Sequence, residues 1–418
     1  MVHRFVEDAL VSTVVAPHST VVWGDREENR GSNDYPCGES HNTPRGTIVD
    51  PATTCCPNLD CPARGQAGKG NIGIHSRQDK RFICRQCSKT FAETKGTVFY
   101  RLRTPAEAVP LVMTLLAHGC PLQAIVAAFG FDERTVADWL TRAGRQSQAV
   151  HEHLVRRPRD LGQVQADEIR VKKQGGIVWM ALAMMVSTRL WLAGEVSEHR
   201  DLSLIRRLVA RVRAGALQRA LLFCTDGLRA YIRATRETFR DAVRTGERGR
   251  PRFRAWKTLF IAQVVKRYEK RRVVAVERRI IQGSAARVEK LRYRSQGDGV
   301  INTAYIERLN ATFRERLSSL TRQGRALARQ TCTLRHGMYL IGTVYNFCTP
   351  HESLRLAKTA AGGACVARTP AMAAGITDHG WSVRELLSFH VPPPRWTPAK
   401  RRGRPSRALQ HLVERWCS

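Results

Sequence analysis

The chain has 418 residues, with 69 Lys and Arg against 36 Asp and Glu, a formal net charge of +33. Such a field has no use in an enzyme of small metabolites, but it suits a protein that neutralises many phosphates and releases their counterions. Nucleic acid is the expected partner, and Arg-rich stretches such as RERLSSLTRQGRALARQ favour planar, bidentate phosphate contact.

The length allows two or three domains with a substantial core. Residues 1–50 are rich in Ser, Thr, Asn, Gly and Asp without a sustained period, and disorder is expected there. The first residues include Glu7 and Asp8, where a secretory peptide would be apolar. A cytoplasmic, reducing location is expected, with the twelve cysteines as thiols or metal ligands.

In residues 51–100, Cys56-Pro-Asn-Leu-Asp-Cys61 is followed by a Gly-rich basic stretch and then by Cys84-Arg-Gln-Cys87. Two thiolate pairs on turns suit a tetrahedral Zn²⁺ that folds a segment too polar to hold itself, a zinc ribbon. Cys55 stands beside Cys56 and leaves that one ligand open. Gly68, Gly70 and Gly73 fit a dinucleotide spacing, but no apolar strand precedes them and no helix clearly opens after them, so a ribbon loop is expected.

Within residues 101–150, the stretch 104–143 reads as helical, with one apolar stripe through Val109, Val112, Leu115 and Leu116 and another through Leu122, Ile125, Val126 and Phe129. Gly130 then precedes Asp132, a natural N-cap for ERTVADWLTRAG. A plain helical hairpin and a helix-turn-helix both match this pattern, and the basic context favours the second. In that reading Arg134 and Thr135, at the start of the last helix, approach DNA base edges.

Residues 160–360 turn to strands, with VQADEIRVKK, then IVWMALAMMVS paired as a hairpin with LWLAGEV, a helix over 201–213, and the buried strand ALLFCTD. The longest apolar run, Ile177 to Val186, is too short to cross a membrane. On the first strand Asp167 shares parity with Ile169 and Val171, and Glu168 falls with Arg170 and Lys172 as the solvated neighbour. An anion on an apolar face is costly unless a cation meets it, so metal binding would account for Asp167. Asp226 closes an unbroken apolar run, at the strand end where open α/β sheets build ligand sites. Glu307 lies on a helix with Asn310 and Arg314 on its flank, one and two turns on. This element order suits an α/β ribonuclease H-like sheet, mixed and flanked by helices, with Asp167 and Asp226 on adjacent central strands. The stretch 240–300 contains the strand-like FIAQVV and RVVAVERRII but has no firm place, and His351 is expected to be structural.

In residues 361–418 a basic tail carries Arg402, Gly403, Arg404 and Pro405, a core read as an AT-hook for the minor groove of A·T-rich DNA, with a plain basic tail as the alternative.

The phrases CPNLDC, FICRQCSKTF, QADEI, CTDG, YIERLNATFRERL and YNFCTPHESL, over roughly residues 55–357, make the chain resemble bacterial transposases of the insertion-sequence-one family, in a longer single-chain form. The resemblance implies a multidomain DDE enzyme with catalytic Asp167, Asp226 and Glu307 and zinc-ribbon ligands Cys56, Cys61, Cys84 and Cys87. It implies two Mg²⁺ or Mn²⁺ ions about 3.5–4 Å apart at the scissile phosphate. Asp167 would bridge them, Asp226 and Glu307 would each hold one, and Asn310 and Arg314 would position Glu307 or the phosphate. The implied partners are the terminal inverted repeats, target DNA and further copies of the chain, at the bacterial nucleoid. A non-catalytic DNA-binding regulator and a nuclease without strand transfer are the alternatives from other classes.

Overall fold

A computed structural model describes residues 49–418 apart from 244–249, 271, 321–329, 357–364, 399–404 and 418. The disorder expected over 1–50 therefore falls, Val49 and Asp50 excepted, outside the described residues, as do Arg402, Gly403 and Arg404 of the hook. Pro405 is described and exposed.

A three-stranded antiparallel sheet is formed by β1 (Ile72–Ser76), β2 (Arg81–Cys84) and β3 (Thr90–Ala92), with Cys56 and Cys61 before it and Cys84 and Cys87 at the β2–β3 turn. Phe82 and Phe91 fill its small core with ring centroids 5.7 Å apart. Gly68 and Gly70 take φ of +70° and +67° in the loop before β1, and Gly73 lies within that strand. The three glycines thus shape a turn leading into strands, without the helix a dinucleotide site requires.

The helices are α1 (Ala108–Ala117), α2 (Leu122–Phe129) and α3 (Glu133–Val150). Gly130 ends α2 in the left-handed conformation, φ +66°. Asp132 Oδ1 accepts from the backbone N–H of Arg134 at 2.8 Å and of Thr135 at 3.3 Å, supplying two donors at the start of α3 with partners. The helix outruns its expected end near residue 143 because Ala143, Gly144, Ser147 and Val150 are buried. Gly144 touches another helix so closely that a Cβ there would meet the His336 backbone at 2.6 Å.

The central sheet is built from β4 (Gln163–Lys173), β5 (Gly176–Met185) and β6 (Trp191–Ser197), helix α4 (Leu202–Ala214), β7 (Leu221–Asp226) and helix α5 (Arg229–Thr238). The hairpin β8 (Arg240–Val243) and β9 (Arg252–Ala255) follows, then β10 (Leu259–Glu269) and β11 (Arg272–Gln282). The six-stranded order is β11-β10-β7-β4-β5-β6. β4, β5 and β6 form an antiparallel meander, whereas β7 runs parallel to both β4 and β10. The stretch left unplaced by sequence therefore extends the sheet, and β11 is its exposed edge.

Helices α6 (Ala285–Gln296), α7 (Ala304–Arg316) and α8 (Thr331–Phe347) come next. Alternation along β4 explains the layering. Val164 and Ala166 share a core with Leu204, Leu208 and Tyr231 of α4 and α5, while Ile169 and Val171 pack with Ile306, Leu309 and Phe313 of α7 and with α8. Burial of both faces is why polar Gln163 and Gln165 also lie inside. The first of these cores continues into α1 and α3, through Val112, Val136 and Trp139.

The remaining elements are β12 (His351–Leu356), β13 (Val366–Arg368), α9 (Pro370–Ala373), α10 (Val383–Ser388) and α11 (Arg407–Cys417). His351 packs edge-on against Tyr345, 4.6 Å between centroids, a structural contact. The expected basic tail needs correction, because the chain beyond Pro405 is helical. One face of α11 brings Leu412 and Trp416 to the ribbon core, where Trp416 is buried and its carbonyl accepts from Gln66 Nε2. The small cysteine-bearing sheet has little core of its own and takes the indole as an added apolar group.

Gly342 of α8 faces the Trp191 indole, where a Cβ would overlap the ring. Ala is the better helix former by about 1 kcal/mol, yet we expect Gly342→Ala to lower stability by about 1–3 kcal/mol through overpacking. The measurement is the urea midpoint, and an unchanged or higher midpoint would contradict this packing.

Candidate metal centres

The parallel pairing of β4 with β7 aligns Ala166 with Thr225, so Asp167, within β4, stands beside Asp226 where β7 ends. Ligand oxygens of Asp167, Glu168 and Asp226 lie within 4.8 Å of one another, a spacing open to a metal ion. Asp226 sits where β7 ends, and its Oδ1 accepts from the Leu228 N–H at 3.0 Å, fixing the carboxylate at the exit turn. Asp167 Oδ2 accepts from Asn310 Nδ2 at 2.8 Å. Burial first, and then the neighbouring charges of Glu168, Asp226 and Glu307, push the Asp167 carboxyl up to about 7.

Glu168 departs from its expected role as a solvated neighbour. It is 7% exposed, because α4 and α5 cover the face it shares with Val164 and Ala166. Its Oε2 accepts from Arg200 Nε at 3.1 Å and Nη2 at 2.9 Å, and Arg200 Nη2 also lies 3.6 Å from Asp226 Oδ2. Glu168 Oε1 is buried without a hydrogen-bond partner. A hard divalent cation such as Mg²⁺ or Mn²⁺ fits this all-oxygen set and would satisfy the unpartnered oxygen.

Glu307 stands outside this tightest group but close enough to act on Asp167 electrostatically. Its Oε1 accepts from Lys266 Nζ at 2.6 Å and Thr303 Oγ1 at 2.7 Å. Burial works to raise this carboxyl, yet those two donors outweigh it and hold the group below the usual range. The flanking residues also need correction. Asn310 turns inward, 1% exposed, and serves Asp167 rather than Glu307. Arg314, half-buried near the end of α7, has no hydrogen bond or ion pair among the described residues, and Lys266 takes the place next to Glu307. Parity on β4 could have flagged Glu168, since a central strand covered on both sides buries both sets of side chains. Lys266 and Arg200 carry no local signal, because they reach the site only through sheet order and a loop.

The four cysteines form the second centre. Cys56, Cys61, Cys84 and Cys87 sulfurs lie within 4.8 Å of one another, with Cys56 to Cys87 and Cys61 to Cys84 each at 3.8 Å. These are not disulfide distances, and tetrahedral bonds of about 2.3 Å place sulfurs about 3.8 Å apart. A metal such as zinc fits. Cys55 stays free and outside the group, which resolves the choice between it and Cys56. Burial pushes Cys61 up to about 12 and Cys56 higher still. Cys87 is also raised by burial, but the Lys89 N–H and the Asn58 side chain overcome this and bring it to about 7. In α3 Arg134 is exposed and Thr135 half-buried, so the helix start that Asp132 caps presents its Arg outward.

No protein-family model matches the chain, and no curated protein matches it. Among the described residues, no helix is long and apolar enough to cross a membrane.

Two expectations follow. Folded protein keeps the Asp167 proton up to about pH 7, whereas an unfolded chain releases it near 3.8. The metal-free protein therefore loses stability as pH rises through that window. Asp167→Asn should match the parent near pH 4 and exceed it near pH 8 by on the order of 1–3 kcal/mol in urea unfolding, and equal differences at both pH values would contradict the shift. Cys84→Ser should lose a stoichiometric metal and red-shift tryptophan emission as Trp416 is freed; retention of metal, measured by atomic emission, would contradict the four-sulfur site.

Proposed function

We propose that the chain is a DNA transposase of the DDE type, related to the insertion-sequence-one family, that binds the ends of a mobile element, cuts 3′ strand ends and joins them to target DNA. The observation that carries this reading is the meeting of Asp167 and Asp226 on adjacent parallel strands. A meander of three antiparallel strands followed by two parallel strands with helical crossovers supports a ribonuclease H-like core for them.

Divalent cations, when bound, would supply a Lewis acid and an activated water or 3′-hydroxyl at the scissile phosphate. The side chains do the rest. Asp167 and Asp226 would hold the cations, and Asn310 fixes the Asp167 carboxylate by donating to its Oδ2. Glu307 completes the cage from α7, its carboxylate steadied by Thr303 and Lys266. Deprotonating Asp167 is a condition for metal binding, so its raised pKa makes metal affinity, and activity at limiting metal, climb as pH rises toward about 7.

DNA binding falls to several surfaces. The α2–α3 pair acts as a helix-turn-helix, with Arg134 and Thr135 at the base edges. Exposed Arg240, Arg252 and Arg254 on the β8–β9 hairpin contribute phosphate contacts. A zinc ribbon at the four cysteines organises the segment before the helices, and the Arg402-Gly403-Arg404-Pro405 hook reaches a minor groove. Pairing two element ends requires more than one copy of the chain.

The test incubates purified protein with Mg²⁺, a labelled element end and a plasmid. Joined product supports transposition, cut product alone indicates a nuclease, and bound but unchanged DNA indicates a regulator. Asp226→Asn and Glu307→Gln should each lower joining by at least ~100-fold, about 2.7 kcal/mol in the barrier. Joining at the parental rate in both variants would reject the site.

A further inference from the structure

Charge balance among the carboxylates points to a role for the neighbour of Asp167. Glu168 has its side chain fully covered, yet only one of its two oxygens is hydrogen-bonded. The partner is Arg200, whose Nη2 at once donates to Glu168 Oε2 at 2.9 Å and approaches Asp226 Oδ2 at 3.6 Å. One guanidinium thus serves two of three carboxylates that lie within 4.8 Å of each other. Its planar fork satisfies Oε2 and leaves Oε1 buried with no hydrogen bond, and the Tyr231 hydroxyl near the carboxylate, itself buried without a partner, is neutral and brings no charge to balance it. A buried carboxylate in that state is costly unless a cation reaches it.

We propose that Glu168 is a ligand of the divalent cation at this site, and that Arg200 is the internal cation it gives up when metal binds. The proposal rests on the metal-dependent reading of the site given above. A small ion held at 2.0–2.6 Å can meet an oxygen from each of the three carboxylates, whereas a guanidinium cannot enter between them. Both cations cannot stay, because a metal seated among these oxygens would repel a guanidinium already bound to two of them. Arg200 has somewhere to go. It lies in the connection between β6 and α4, its side chain is 37% exposed, and its guanidinium carbon is 5.0 Å from the Trp179 ring centroid. It already lies over that indole, so on leaving Glu168 it keeps this contact and turns its donors to water.

The sign of one substitution separates this from an ordinary supporting role. If Arg200 only orients Glu168 as a ligand, its removal weakens metal binding by about 10–100-fold. If Arg200 occupies the place the metal needs, its removal raises the fraction of sites ready to bind and tightens apparent affinity.

The experiment titrates full-length protein with Mn²⁺ and follows the free ion by electron paramagnetic resonance. Mn²⁺ is chosen because it prefers carboxylate oxygen to the thiolates of the cysteine cluster. We expect Glu168→Gln to weaken binding by at least ~10-fold, Arg200→Gln to tighten it by ~3-fold or more, and the double variant to resemble Glu168→Gln. Asp226→Asn reports on the underlying site. If it binds Mn²⁺ as the parent does, the metal-dependent reading fails and this proposal falls with it. If Asp226→Asn weakens binding while Glu168→Gln binds like the parent, or Arg200→Gln weakens it, only the present proposal is overturned. Should Glu168→Gln fold poorly, Arg200→Gln decides alone, since the Arg200 side chain is 37% exposed.

Discussion

The parallel ladder between β4 and β7 is the constraint from which the site follows. It sets Asp167 beside Asp226, and Glu168 comes with Asp167 because the two are adjacent in sequence. Three like charges gathered where water is partly excluded repel one another, and the chain answers with cations and protons. Arg200 meets Glu168 and Asp226, Lys266 meets Glu307, and Asp167 holds its proton to about pH 7. Without metal the centre is therefore balanced by its own side chains. Any divalent ion that enters must outcompete them.

The elements around the ladder fix its precision. β4 is buried on both faces, so Asp167 points toward α7 while Glu168 points toward α4 and α5, and each side supplies its own partner, Asn310 or Arg200. Lys266 arrives because β10 continues the sheet beyond β7, past the register of Val264 with Asp226. At the other end of the chain, α11 gives Trp416 to the cysteine-bearing sheet. The two centres thus follow opposite logics. The sulfur site lends order to a segment with little core, while the carboxylate site draws on the order of the largest sheet in the molecule.

Much of this was legible in sequence where the signal was local. The close spacing of Cys84 and Cys87, the Gly130 stop followed by the Asp132 cap, and the apolar run before Asp226 each state their chemistry within a few residues. Other features were not legible in that way. Glu168 was misread because strict alternation on a strand tells a wet face from a dry one only when one face is wet. Lys266 lies in a basic stretch whose strand character competes with its charge, and its pairing with Glu307 depends on strand order. The docked face of α11 was hidden because Leu412 and Trp416 stand among Arg and Glu, and a single turn of apolar spacing looks like a solvated tail. Cys55 and Cys56 could not be told apart by spacing at all, and only the fold turns one inward.

The central claim is that the carboxylates of Asp167 and Asp226 share a divalent cation. Anomalous diffraction at the manganese edge, from crystals of the full chain grown with Mn²⁺ and a DNA end, tests it most directly. The account predicts a manganese peak within bonding distance of both carboxylates. Manganese bound elsewhere, with Arg200 still joining Glu168 to Asp226, would contradict it.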